Sequence, residues 1–149
     1  MRAVVQRVSQ AEVRVENQVV GAIGVGYLVL VAFTSADGAE QLEYMAEKII
    51  NLRLFGDAEG KLNLALDDVN GELLIVSQFT LYGDVRKGRR PSYSDAAPAA
   101  VAEQLYEEFL MVLRRSGLTV AAGQFQAYMQ VELVNDGPVT IIMDTAKLL

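Results

Sequence analysis

The sequence predicts an α+β fold: one domain over residues 1–149, mostly antiparallel or barrel-like β-sheet with two main helices. Three observations predict it. Many stretches alternate apolar and polar residues at the two-residue period of strands. Only two segments repeat at helical spacing, and they stand apart rather than in a regular βαβ series. A length of 149 residues, 52% of them hydrophobic, suits one domain able to bury a core without covalent staples.

Residues 2–8 alternate, with Ala3, Val5 and Arg7 on one face and Val4, Gln6 and Val8 on the other. Residues 11–16 alternate again, Val13 and Val15 against Glu12, Arg14 and Glu16, so two half-buried strands are expected. Asn17-Gln18 marks a turn. Gly21, Gly24 and Gly26 lead into the apolar run Tyr27–Phe33, which predicts a central strand. Their spacing is not that of a dinucleotide fingerprint, and a strand follows where that motif needs a helix, so they read as turn and bulge positions. Asp37 and Glu40 have the spacing of a capping box, opening a helix that runs to about Arg53 with Leu42, Met45, Ile49 and Leu52 inward. A short hairpin follows around Asp57–Gly60, without the ligand spacing of a calcium loop. Residues 72–79 form another strand, and 80–97 a loop. Pro98 suits the first turn of a second helix that buries Val101, Leu105, Phe109 and Val112 and closes at Arg114, Arg115 and Gly117. Strands are expected near 118–122, 128–134 and 139–144.

Composition excludes several chemistries. There is no cysteine and no histidine, which removes thiol nucleophiles, thiolate zinc sites and histidine-based triads by counting. Any catalysis then uses hydroxyls, amides, carboxylates, backbone groups or the substrate's own atoms; neither a metal nor a cofactor is expected. No run is long and apolar enough to span a bilayer, and the charged start is unlike a signal peptide, so a cytoplasmic protein without membrane attachment is the expectation. Net charge is −6, yet Asp84–Asp95 holds four basic residues (Arg86, Lys87, Arg89, Arg90) against two acidic ones. That loop is either a solvated surface or a contact for a few phosphates.

Two polar clusters interrupt apolar strands. Ser77-Gln78-Phe79-Thr80 puts two hydroxyls and an amide at a strand end, where backbone N–H groups leave the ladder and can hold an oxyanion; a strand running into a turn at Gly83 explains it equally well. Asn135-Asp136-Gly137-Pro138-Val139-Thr140 reads first as a plain hairpin turn, with an X-Pro bond that can be cis or trans.

These two clusters, with Met1–Val8, Gly60-Lys61-Leu62-Asn63-Leu64, Lys87-Gly88-Arg89-Arg90-Pro91-Ser92 and Leu105-Tyr106 in the same order, closely resemble the D-aminoacyl-tRNA deacylase family over essentially the whole chain. The resemblance implies hydrolysis of the ester joining a D-amino acid or glycine to the 3′-terminal adenosine of tRNA. It implies a homodimer with the active site at the subunit interface. Ser77, Gln78, Phe79 and Thr80 of one chain would face a cis Gly137-Pro138 element from the other, with Asn135, Arg7, Phe125 and Met129 among the substrate-binding residues. Arg86, Lys87, Arg89 and Arg90 become candidates for the tRNA phosphates. One departure stands out: Phe125-Gln126-Ala127 replaces the family's usual Phe-Gly-Ala. Two other classes compete: a non-catalytic tRNA-binding or editing-accessory domain, and a hydroxyl-nucleophile esterase of small D-amino-acid esters.

Overall fold

A computed structural model describes residues 1–147. In chain order it contains β1 (Arg2–Val15), β2 (Gln18–Ile23), β3 (Gly26–Ala32), α1 (Ala39–Asn51), β4 (Phe55–Gly56), β5 (Leu62–Leu64), β6 (Glu72–Ser77), α2 (Ala99–Arg114), β7 (Val120–Ala122) and β8 (Gln130–Asp144). Short 3-10 turns occupy Asp67–Val69 and Phe79–Tyr82. β1 is the spine. β2 and β3 lie end to end along one of its edges and β8 along the other, all antiparallel to it. The sheet then continues through parallel pairs, β3 with β6 and β6 with β7. Parallel neighbours need a crossover, and here each crossover carries one helix.

The sheet curls until β2 approaches β7, nearly closing a barrel. Gly21 sits at this closure: a methyl group there would lie 2.7 Å from the carbonyl oxygen of Ala122. Two cores result. Tyr27, Val29, Val31, Leu73 and Ile75 face the helices, where Leu42, Met45 and Ile49 of α1 meet Leu105, Phe109 and Leu113 of α2. The alternate residues Leu28, Leu74 and Val76 fill the barrel with Val8, Ala11 and Val13. Burial of these apolar faces on both sides is the main favourable term of the fold. Arg115 and Glu43 pair across the two helices. No helix among the described residues is long and apolar enough to cross a membrane.

Several local expectations are corrected. The two strands expected at 2–8 and 11–16 are one strand, because Ser9 and Gln10 are both exposed and shift the alternation without ending the ladder. Strands 128–134 and 139–144 are likewise one, since 135–139 is absorbed within the β1–β8 pairing rather than turning back. No full capping box forms: the N-cap is Gly38, which has no side chain to give, and only the return half is present, Gln41 Oε1 accepting the Gly38 N–H at 2.9 Å. Asp37 is already engaged by the Thr34 N–H (2.7 Å) and the Met1 amino group (2.7 Å). α1 ends at Asn51, short of Arg53. Pro98 is the N-cap of α2, and Val101 is exposed because the buried stripe runs through Ala102, Leu105, Tyr106, Phe109, Leu110 and Leu113. Gly117 does lie just past the helix in the left-handed region (φ 83°).

Tyr27 shows how a polar tip is buried at low cost. Its ring stacks on Phe55 (5.3 Å, 10°) and its hydroxyl donates to the Leu52 carbonyl at 3.0 Å. Burial pushes the phenol up to about 12, opposed by a backbone hydrogen bond and by Arg7. The unfolded chain's phenol ionises near pH 10, so above that pH the folded state holds the extra proton and stability falls as pH rises. Denaturation midpoints are therefore expected to drop between pH 10 and 12, with a shallower drop in Tyr27→Phe; an identical slope in that variant would show that other groups carry the effect.

Candidate active site

β6 is an apolar strand whose pairing with β3 runs to Ser77, followed by a last bond from the Gln78 N–H to the Val31 carbonyl at 2.7 Å. The chain then tightens into the 3-10 turn Phe79–Tyr82, so the strand expected over 72–79 stops two residues early. Within this turn the first amide to find an acceptor is that of Leu81, on Gln78 O at 3.1 Å. The Phe79 and Thr80 N–H groups stand at its open end, where a helical turn leaves donors without internal partners.

Beside this strand end lies a cavity of about 680 Å³, within the range of small-molecule sites. Ser77, Gln78 and Phe79 form one wall, and Phe125 and Met129 the opposite one. Ala96, Ala97, Ala99 and Ala102 line it where α2 begins; their small side chains leave the space open. Phe79 is 54% exposed and meets Tyr93 edge-on at 5.1 Å, forming an aromatic rim. Thr80 is exposed and does not line the cavity, and its hydroxyl accepts a short hydrogen bond from the Gln78 side-chain amide.

Tyr106 braces the site from behind. Its hydroxyl bridges the carbonyls of Ile75 (2.9 Å) and Gly123 (3.2 Å), and its ring packs on Phe125 at 5.9 Å. It ties β6, α2 and the segment carrying Phe125 together. Burial drives its phenol well above the ordinary tyrosine range, which keeps it neutral.

The second cluster lies elsewhere on the chain. Gln6 pairs with Thr140 and Gln10 with Val134, so three residues of β1 (7–9) face five of β8 (135–139). The two extra residues bulge outward: Asp136, Gly137 and Pro138 are all exposed, and the Gly137-Pro138 bond is cis. Side chains hold the bulge. Asn135 Nδ2 donates to the carbonyls of Arg7 and Val139, both at 3.0 Å. Arg7 Nε donates to the Asp136 carbonyl (2.9 Å) and Nη1 to that of Leu54 (2.6 Å). Gly137 has φ 137°, and a methyl group there would lie 3.0 Å from Arg7 Nη2 and from the Val139 nitrogen, so the position suits glycine alone.

The predicted residues thus fall into groups. Ser77, Gln78, Phe79, Phe125 and Met129 meet at the cavity. Arg7, Asn135, Gly137 and Pro138 meet at the bulge, and none of these lines the cavity of the same chain. In the basic loop, Arg86 is held by Asp84 through two contacts (2.9 and 2.7 Å), while Lys87, Arg89 and Arg90 are exposed. That pairing holds the Asp84 carboxyl down at about 2. Sequence reasoning missed Tyr93, the alanines and Tyr128 as cavity residues. A tyrosine in an otherwise polar loop was the only signal for Tyr93.

Together the mixed sheet, the cavity at a strand end and the outward bulge define a small α+β protein with a pocket site of uncharged groups. Comparison with known proteins narrows this. The family model described as D-Tyr-tRNA(Tyr) deacylase matches residues 4–144. The chain is 59% identical over 148 residues to the D-aminoacyl-tRNA deacylase of Thermosipho africanus and 55% identical over 147 to that of Clostridium botulinum, covering 99% of each chain. Among solved structures, a c-Myc DNA unwinding element binding protein superposes with a TM-score of 0.91 at 44% identity, covering 97% of this chain and 99% of that one. A probable eukaryotic D-amino acid tRNA deacylase shares the fold at 23% identity (TM-score 0.79; 95% and 97% covered). This chain belongs to the D-aminoacyl-tRNA deacylase family.

Asn135→Ala should cost about 1–3 kcal/mol of stability, because it strips the donor from two carbonyls inside the bulge. Equilibrium denaturation reads this directly; a change below about 0.5 kcal/mol would show that the ladder alone shapes the bulge.

Proposed function

We propose that this chain is a cytosolic ester hydrolase that releases D-amino acids, and glycine, from the 3′ end of tRNA, and that it works as a homodimer. The observation that carries this reading is the separation of the two groups. Among the described residues, the open cavity is lined by neither Gly137 nor Pro138, and both of these stand exposed on a braced bulge. Pairing two copies supplies each cavity with Gly137 of the partner subunit and Pro138 of the partner subunit.

In this reading the Phe79 and Thr80 N–H groups hold the ester carbonyl oxygen as it gains charge, and water attacks with help from the 2′-hydroxyl of the terminal ribose. The attack opens a tetrahedral carbon; its collapse returns the 3′-oxygen to the ribose as the leaving group, which takes a proton. An aminoacyl ester is already activated, so positioning and charge stabilisation are sufficient tasks for the protein. Thr80 is a poor nucleophile here, since its hydroxyl is engaged by the Gln78 amide and lies outside the cavity lining. The carbonyls of the Gly-Pro element hold the substrate ammonium and leave no room for an L side chain, a rejection by clash that needs no added attraction for the D form. The exposed Lys87, Arg89 and Arg90 receive the acceptor-stem phosphates, Arg86 being neutralised by Asp84.

A second reading, a nucleic-acid binder without catalysis, is favoured by the likeness to the c-Myc DNA unwinding element binding protein, at 44% identity. Matched D- and L-tyrosyl-tRNA separate the two. The D ester should disappear and the L ester persist, and Thr80→Ala should keep most of the rate. Survival of both esters, and of glycyl-tRNA, would leave the binding reading. Replacing Lys87, Arg89 and Arg90 by Ala should lower the slope of log affinity against log salt by about two to three; an unchanged slope would make the loop a bystander.

A further inference from the structure

The cavity mouth carries a feature that the ester chemistry does not use. Tyr128 is 91% exposed although it borders the cavity. Around it the chain alternates: Phe125, Ala127 and Met129 are half-buried toward the cavity, whereas Gln124, Gln126, Tyr128 and Gln130 are exposed. Gln126 sits at φ 61°, in the left-handed region, which sets this lip at an angle to the strand that follows. The lip belongs to a stretch, residues 116–131, with no charged side chain, in a chain of net charge −6. An acidic protein thus presents a neutral edge of amides and one bare aromatic ring on one side of the cavity. The rim opposite leads through Tyr93 to the exposed basic residues.

We infer that Tyr128, flanked by the amides of Gln126 and Gln130, is a stacking lip for the unpaired nucleotide that precedes the terminal adenosine of an RNA 3′ end. This rests on the reading that an aminoacylated RNA end occupies the cavity. Every base offers a π-face, so a single exposed ring grips a base without demanding a sequence. Uncharged amides can hydrogen-bond base edges without repelling the phosphates, as carboxylates would. With the backbone drawn to the basic loop, the lip holds the base side of the same strand and limits how the ester can swing.

The test compares two esters of the same D-amino acid, D-tyrosyl-tRNA and 3′-O-D-tyrosyl-adenosine, which lacks the preceding nucleotide. Tyr128→Ala should lower kcat/KM on the tRNA about tenfold, mainly through KM, and lower it far less on the adenosine ester. Tyr128→Phe should restore the wild-type value, since stacking needs the ring and not the hydroxyl. Three results would overturn the inference: no loss on tRNA, an equal loss on both esters, or dissociation of the Tyr128→Ala protein into monomers on sedimentation, which would assign the ring to contact with a second copy. Wild-type protein inactive on both esters would remove the underlying reading instead, and the lip with it.

Discussion

The structure depends on one constraint: β1 and β8 must stay paired along nearly their whole lengths although their residue counts do not match. Pairing runs from Arg2 with Asp144 to Arg14 with Gln130, and β8 brings two residues too many to the middle. A ladder can absorb such an excess only by extruding it, which is what a bulge is. Extruded backbone needs hydrogen-bond partners, and the neighbouring residues provide them. Asn135 satisfies carbonyls on both strands, and Arg7 spans from Asp136 to Leu54, anchoring the bulge to the end of the loop after α1. The Gly-Pro element is therefore a rigid projection from the spine of the sheet and not the tip of a free loop.

The same strands serve both cores. Val5 and Ile141 are paired and pack toward the helices, whereas Ala11 and Leu133 are paired and belong to the barrel core. The passage from one core to the other falls at the bulge, where Ser9 and Gln10 are exposed together. The cavity arises from a different device, the two helical crossovers. β6 ends beside the start of α2, and a run of alanines there leaves a hollow that Tyr106 keeps from collapsing by fixing Ile75, Gly123 and Phe125 at once. Spine and crossovers thus build the bulge and the cavity on separate parts of the molecule, and among the described residues β8 pairs with β1 alone, leaving its other edge open. An edge of that length is normally covered, and in the homodimer proposed above a second copy would cover it.

Element types were legible in the sequence because periodicity reports burial. Residues 27–33 and 73–76 are apolar on both faces because both faces meet a core, and the helices declare themselves by the spacing of Leu42, Met45 and Ile49 and of Leu105 and Phe109. Boundaries were less legible where local chemistry has two uses. Asn, Asp, Gly and Pro at 135–138 are turn formers in isolation, and only the partner strand reveals that the chain passes straight through. Asp37 has the right spacing for a cap, but the amino group of Met1, distant in sequence, claims it. The strand-end residues stood out in the sequence by their polar interruption and by family resemblance; the structure puts Ser77, Gln78 and Phe79 at the cavity and leaves Thr80 outside its lining. Tyr128 was invisible, because exposure beside a cavity is a property of the folded surface and leaves no periodic trace.

The ionisable groups explain what kind of chemistry this scaffold can perform. Those whose ionisation is displaced move away from neutrality: Tyr27, Tyr82 and Tyr106 upward through burial, and Asp84 down to about 2 through Arg86. With no histidine in the chain, none of these is poised to exchange a proton near pH 7. The function proposed above accordingly rests on electrostatic stabilisation by fixed backbone donors and not on a tuned side-chain acid or base. Fixed donors act only if the reacting carbonyl is delivered to them accurately. That requirement gives a physical reason for spending side chains such as Arg7, Asn135 and Tyr106 on holding backbone rather than on touching substrate.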